Sequence, residues 1–330
     1  MKFGPVALDE AADGILAHAV RVGGRILKKG RRLGPADLDM MRGAGIERIT
    51  VALLGPGDVG EDQAALAVAE SLLGAGVCAG PPSTGRVNLF AATAGLLVLD
   101  AAAVDGLNAV SEDVTLATLP QLAPVQAGAM IATVKIIPFA VPDSVIRRCV
   151  DAGEAAPIRV APYRPMSVHL IHTTNDGLKE SVVAKTSAVT ADRLARLGGD
   201  IVQESRCAHS VDALVPVLGQ TVGAGGDAVL VIGASAIVDR LDVIPAAIAA
   251  LGGRILRLGM PVDPGNLILL GEIGDTPVLG LPGCARSPAR NGLDWVLERM
   301  AAGIPVGGVE VAKMGVGGLL IGREEEKDYL

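Results

Sequence analysis

At 330 residues the chain exceeds what one hydrophobic core usually organises, and a prior of roughly 100 to 200 residues per domain points to two or three domains. Half the residues are hydrophobic but six are aromatic, so the cores must be built from Ala, Val, Leu and Ile, which argues against stacking on nucleic-acid bases. A net charge of -7 and a pI near 5.2 argue against binding nucleic acid or an anionic membrane, so an anionic ligand would be held locally by backbone dipoles and a few cations.

Residues 15–32 (ILAHAVRVGGRILKKGRR) alternate on either side of Gly23-Gly24, and paired glycines supply the positive φ angles of a two-residue hairpin turn. Pro35 stands at a first helical position, with Leu38 and Met41 three apart and Gly43 and Gly45 at the end, before the strand-like IERITVALL. The result is a small β-β-α-β unit. GPGDVGED then forms a loop leading into an Ala-rich helix, where its acids favour the helix dipole and serve as caps rather than as a cation site. Residues 113–119 and 129–139 read as strands, and Pro142 opens a short helix that decays over 151–157.

From Met166 the texture changes to alternating strands and helices, the pattern of a doubly wound parallel sheet. MSVHLIHTT reads as a buried strand, 178–197 as a long helix closed by Gly198-Gly199, and DIVQESRCA as a second strand. A helix over 211–218 precedes the apolar strand DAVLVIG. A helix over 243–251, the strand RILRLGMPV, the hairpin LILLGEIGDTPVLGLPG and a helix over 291–302 carrying Trp295 complete it. Residues 323–330 (REEEKDYL) read as a frayed, solvated end. The expected fold is α/β: a C-terminal three-layer, mostly parallel sheet domain over 161–305, α+β accessory regions over 1–76 and 77–160, and a C-terminal extension over 306–330.

No apolar run reaches the 18 or so residues that span a bilayer, and the acidic start is unlike a signal peptide, so a cytoplasmic protein is expected. Cys78, Cys149, Cys207 and Cys284 form no CxxC or CxxH pair, which fits reduced thiols. His169 and His172 fall on opposite faces of a strand and cannot chelate together.

In open α/β sheets, ligands bind beyond the carboxyl ends of the strands. Three loops are expected there. The first is Gly233-Ala234-Ser235-Ala236-Ile237-Val238-Asp239-Arg240-Leu241-Asp242, whose small residues let a ligand approach the backbone ahead of a helix N-terminus. The second, Met260 through Asp263-Pro264-Gly265-Asn266, and the third, Pro282-Gly283-Cys284-Ala285-Arg286-Ser287, each carry a Pro-Gly step.

VIGASAIVDRLDVIP, GMPVDPGN and PVLGLPGCARSP resemble the three signature segments of the molybdopterin-binding domain shared by molybdopterin adenylyltransferases and molybdotransferases, and the chain looks closest to bacterial molybdopterin-binding proteins found alone or fused to a cytidylyltransferase. The resemblance implies a ligand that is molybdopterin or its adenylylated form, with Mg²⁺ and molybdate as further reactants. By position, Gly233, Ala234 and Ser235 fall in the family's phosphate loop, and Asp242 is its essential acid, either a Mg²⁺ ligand or an acceptor for pterin N–H groups. Asp239, Asp263, Pro264, Gly265, Asn266, Pro282, Gly283, Cys284, Arg286 and Ser287 complete the implied substrate contacts. The resemblance further implies a homodimer and a nucleotidyltransferase partner.

Departures from the family pattern bear on chemistry. Asp263 and Asn266 stand where the family usually has lysines, Cys284-Ala285 stand in its Asn-Pro, and Thr173-Thr174-Asn175-Asp176-Gly177-Leu178-Lys179-Glu180 replaces its Thr-Gly-Asp-Glu-Leu turn. Arg286 could supply the lost charge, because a guanidinium holds an oxyanion bidentately. Insertion of molybdate into molybdopterin is the activity the resemblance implies. The missing lysines favour a non-catalytic cofactor carrier, and the pattern fits a pyrophosphatase or amidase resembling competence-damage proteins less well.

Overall fold

The computed structural model describes residues 1–320 and divides the chain into two compact units, Met1–Val160 and a second beginning at Ala161. The charged end over 323–330 lies outside the described residues.

The first unit begins with strand β1 (Lys2–Ala7), which pairs antiparallel with β5 (Arg48–Leu53), and β2 (Ile15–Leu16) flanks β5 on its other side. The hairpin β3 (Val20–Val22) and β4 (Arg25–Leu27) turns at Gly23-Gly24, with φ of 54° and 82°, as the paired glycines require. Helix α1 (Pro35–Gly43) starts on its proline and buries Leu38 and Met41 against Val6, Leu16 and Val51. The hairpin β3-β4 stands as its own two-stranded sheet, and β5 pairs with β1 and β2 rather than with that hairpin.

A second core in this unit is built by β6 (Asp58–Gly60), α2 (Glu61–Ser71), β7 (Val77–Ala79), β8 (Arg86–Ala91), β9 (Gly95–Val98), α3 (Ala101–Asn108), β10 (Val114–Thr118), β11 (Pro124–Val125), β12 (Met130–Ile136), β13 (Ala140–Pro142), α4 (Asp143–Ala155) and β14 (Arg159–Pro162). The Ala-rich face of α2, with Ala64, Ala65, Val68 and Ala69 buried, lies in one cluster with Val87 and Leu89 of β8 and Ile131 and Val134 of β12. Small side chains here let helix and sheet approach closely. The helix expected after Pro142 runs longer than the pattern indicated, through thirteen residues, because Ile146 and Cys149 bury one of its faces.

The second unit is the three-layer α/β domain. Its sheet has the order β16-β15-β17-β20-β19-β18, formed by β15 (Ser167–Thr174), β16 (Asp200–Ala208), β17 (Ala228–Ile232), β18 (Arg254–Leu258), β19 (Leu269–Ile273) and β20 (Thr276–Leu281). Strands β16, β15, β17 and β20 run parallel, and the hairpin partner β19 runs antiparallel between β20 and β18. Alternation along β17 defines the layers. Ala228, Leu230 and Ile232 belong to the core shared with α5 (Glu180–Arg196) and α8 (Gly292–Ala301). Val229 and Val231 belong to the core shared with α6 (Val211–Gly223) and α7 (Val243–Ala250). Helix α6 continues five residues beyond the expected end, through Pro216 to Gly223. Val311 and Met314, from α9 (Gly308–Ala312) and the turn that follows it, are buried in the α5/α8 core, so the chain up to residue 320 is continuous with this domain.

One buried acid in this domain makes stability depend on pH. Glu298 on α8 accepts from Arg290 at 2.9 Å, yet burial pushes its carboxyl up to about 7 against the opposing pull of that guanidinium. The Tyr163 hydroxyl, buried and without a hydrogen-bond acceptor among the described residues, is raised first by burial and then by Glu298. A carboxyl whose folded value exceeds its unfolded value favours the fold in its protonated form. Its contribution is complete below about 4.5 and is lost as pH climbs through about 7. The melting temperature should therefore fall between pH 5 and pH 8, and Glu298→Gln should flatten that part of the profile; an unchanged slope in the variant would place the titrating group elsewhere.

Candidate functional site at the carboxyl edge of the sheet

Because β17 and β20 run parallel, and β18 is antiparallel to the antiparallel β19, all three loops open at the same edge. The chain leaves β15 toward α5 on one face and leaves β17 toward α7 on the other. That divergence opens a crevice of the kind in which doubly wound sheets bind ligands.

Loop one is tied to the neighbouring strand ends. The backbone N–H of Ala234 donates to Thr173 Oγ1 at 3.1 Å, the Thr173 hydroxyl lies 2.7 Å from His209 Nδ1, and His209 Nε2 lies 2.9 Å from Ser235 Oγ. Gly233 is buried, Ala234 half-buried and Ser235 exposed. A side chain at Gly233 would meet the carbonyl of Ser235 at 2.6 Å, so the tight path of the loop needs glycine there.

Asp242 sits at the far end of this loop, as the N-cap of α7. Its Oδ1 accepts from Val243 N at 2.8 Å and its Oδ2 from Val238 N at 3.2 Å, so both oxygens are occupied by its own loop. Asp239, exposed, accepts from Leu241 N at 2.8 Å. Among the described residues, no group of three or more His, Cys, Asp or Glu is placed to hold a metal ion.

Loop two closes on itself and on the chain end. Asn266 Nδ2 lies 3.4 Å from Asp263 Oδ1, the carbonyl of Asn266 accepts from Met260 N at 2.9 Å, and the Asp263-Pro264 peptide is cis. The main chain of Asp263 is bracketed by Gly318 and Leu320, donating to the first at 2.8 Å and accepting from the second at 2.8 Å. The Pro264 carbonyl accepts from Gly292 N at 2.9 Å, joining loop two to the start of α8.

Loop three follows buried Pro282 as a 3-10 turn over Gly283–Arg286. Arg286 reaches across to loop one, donating to the Gly233 carbonyl at 2.8 Å, while its Nε is buried and has no acceptor among the described residues. A guanidinium anchored on one side, with donors to spare, is suited to an oxyanion. Cys284 is half-buried, and burial raises its thiol above the ordinary range, which keeps it protonated and disfavours metal ligation. Ser287 is exposed; its hydroxyl accepts from Ala289 N at 3.2 Å. Lys179, at the start of α5, is exposed on the same rim.

The edge therefore brings Gly233, Ala234, Ser235 and Arg286 together and links Pro264 to α8, while the hydrogen bonds of Asp242 stay within its own loop. Pattern reading passed over His209 and Arg193. His209 stands directly after β16, a strand-end position that the parallel-sheet rule marks for attention. Arg193 interrupts the buried stripe of α5 (Val183, Thr186, Thr190, Leu194), where a charge has to have a partner. Its guanidinium donates to the carbonyls of Ala285 at 2.7 Å, Ser287 and Ala289, and to Asp294 Oδ1 at 2.9 Å, fastening loop three. His172 and His169 diverge as expected: the first lies 3.1 Å from Ser187 on α5, the second contacts the Gly225 carbonyl beyond α6. Burial pushes the His172 imidazole below its ordinary value, so it is neutral at pH 7.

A family model described as a domain of unknown function, DUF8806, matches residues 5–53. No curated protein matches the chain. Among solved structures, the chain is similar to a molybdopterin biosynthesis MoeA protein from Pyrococcus horikosii, with 16% identity over 74% of this chain and 80% of that one and a TM-score of 0.31. It is also similar to a molybdenum cofactor biosynthesis protein from Pyrococcus furiosus, with 11% identity, 92% and 66% coverage and a TM-score of 0.27. A MogA structure shares 19% identity over 42% of this chain and 94% of its own, with a TM-score of 0.29.

Proposed function

We propose that the C-terminal domain binds a pterin phosphate of the molybdopterin type in the crevice at the carboxyl edge of its sheet, and that the protein acts in molybdenum-cofactor biosynthesis. The observation that carries this reading is the Arg286 guanidinium at the meeting point of loops one and three, with a buried donor awaiting an acceptor. The three motifs, whose order and wording resemble the molybdopterin-binding domain, supply the identity of the ligand. In this reading the phosphate takes Arg286 and the backbone of Gly233 to Ser235, and loop two, with Asp263 and Asn266, borders the pterin.

Binding and presentation are favoured over molybdate insertion, because Asp263 and Asn266 stand where the resembled family has lysines, and Asp242 serves as the N-cap of α7. Among the described residues, no group of three or more His, Cys, Asp or Glu gathers along the edge, so the protein by itself offers Mg²⁺ no complete ligand set. A nucleotidyltransferase partner and a homodimer belong to the same proposal.

Titrating the full-length protein with molybdopterin tests it. Wild type should bind, and Arg286→Ala should weaken binding by about 10- to 100-fold, the worth of a charge-assisted hydrogen bond to a phosphate. Absence of binding by wild type would overturn the proposal. Conversion of bound molybdopterin to molybdenum-loaded cofactor on adding molybdate, ATP and Mg²⁺ would replace carriage with insertion.

A further inference from the structure

The chain Ser235, His209 and Thr173 has the form of an activated nucleophile, and the proposed pterin binding, which takes only the backbone of Ser235, makes no use of these side chains. Ser235 is exposed on a loop beyond β17, His209 follows β16, and Thr173 lies in β15, so three separate strand ends converge on one imidazole. The hydrogen-bond sequence sets their roles. Thr173 Oγ1 accepts from Ala234 N at 3.1 Å and can direct its own hydrogen to the Ile232 carbonyl at 3.4 Å. Its second lone pair is then free to accept Nδ1–H of His209 at 2.7 Å, which leaves Nε2 as the acceptor for the Ser235 hydroxyl at 2.9 Å. In that arrangement every hydrogen has an acceptor and Ser235 faces a base that can take its proton. The backbone N–H groups of Ser235, Ala236 and Ile237 donate to no protein acceptor among the described residues, so the same loop offers donors for a developing oxyanion.

We infer that Ser235 is a nucleophile activated by His209, with Thr173 as the residue that positions the imidazole, and that the site hydrolyses a carboxylic ester bearing an anionic group. Ser235 Oγ bonds to the acyl carbon as His209 Nε2 takes the hydroxyl proton. Collapse of the tetrahedral adduct breaks the carbon–oxygen bond to the leaving alcohol, which receives that proton. Water then attacks the acyl-serine with His209 again taking the proton, and the acid departs as the Ser235 hydroxyl is restored. Arg286, hydrogen-bonded to the Gly233 carbonyl two residues before Ser235, is the cation this inference assigns to the substrate's charge.

Full-length protein is treated with a fluorophosphonate, and adducts are located by intact mass and peptide mapping; turnover is followed with p-nitrophenyl acetate and p-nitrophenyl hemisuccinate. One adduct at Ser235 is expected, absent from Ser235→Ala and slowed at least 100-fold in His209→Gln. Thr173→Val should slow labelling about 10-fold and displace its pH profile, a change that a purely structural threonine would not produce, and Thr173→Ser should restore both. The hemisuccinate should be hydrolysed faster than the acetate, and Arg286→Ala should erase that preference. No adduct, an adduct on another residue, or labelling unaffected by His209→Gln would overturn the inference. The outcome is independent of pterin binding, because the label is read on protein without ligand.

Discussion

Replacing Arg193 with Met lowers the unfolding free energy by about 3–5 kcal/mol, the cost of removing one partner from a buried ion pair. Arg193 is 4% exposed and leaves no donor group idle: its Nε serves Asp294, and its two terminal nitrogens serve the carbonyls of Ala285, Ser287 and Ala289. Methionine fills the aliphatic volume but strands those acceptors, among them the carbonyl of the buried Ala285. Lysine keeps the charge without the planar fork and should recover less than half of the loss. Denaturant unfolding of the full-length variants measures both values. A loss below 1 kcal/mol for the Met variant would mean that the loop carbonyls find other donors.

Gly265→Ala should cost about 2–6 kcal/mol, from two sources acting at one position. The residue has φ of 135°, a conformation that side chains rarely adopt, worth about 1–3 kcal/mol of strain. A methyl there would also stand 2.5 Å from the backbone nitrogen of Gly292 and 2.7 Å from its Cα, and overpacking of that kind adds about 1–3 kcal/mol. Backbone forms the obstacle, so no rotamer change relieves it. The displaced atoms carry the bond from Gly292 N to the Pro264 carbonyl, and loop two should shift with them. Thermal unfolding measures the first effect and amide exchange at residues 263–266 the second; a wild-type melting point would show that α8 moves away without penalty.

The C-terminal sheet was readable from pattern because its strands are unusually apolar and its helices long. AVLVI in β17 is buried throughout, and α5 repeats its buried positions every three or four residues over seventeen. The shared edge of the three loops also followed from pattern, since alternation of strand and helix forces parallel strands and parallel strands put their ends together. Much of residues 77–112 escaped. Strands β7 and β9 are three and four residues long, too short for a period to declare itself, and β9 pairs with β11, outside that stretch. Strand β1 carries Gly4 and Pro5 among its six residues, composition that argues for a turn, and it is held in place by its register against β5. At the site, glycines and prolines marked where the chain bends. The link from Arg286 to Gly233, fifty-three positions apart, and the convergence of Thr173, His209 and Ser235 come from tertiary packing that no local window contains.

The bracket around Asp263 has a consequence for anyone transplanting this crevice. Loop two owes its path to a short ladder with Gly318 and Leu320, so its shape is encoded partly by residues more than fifty positions downstream. A graft cut after α8 would carry the motif Met-Pro-Val-Asp-Pro-Gly-Asn intact and still lose its conformation, whereas one extended through Leu320 would bring its own splint.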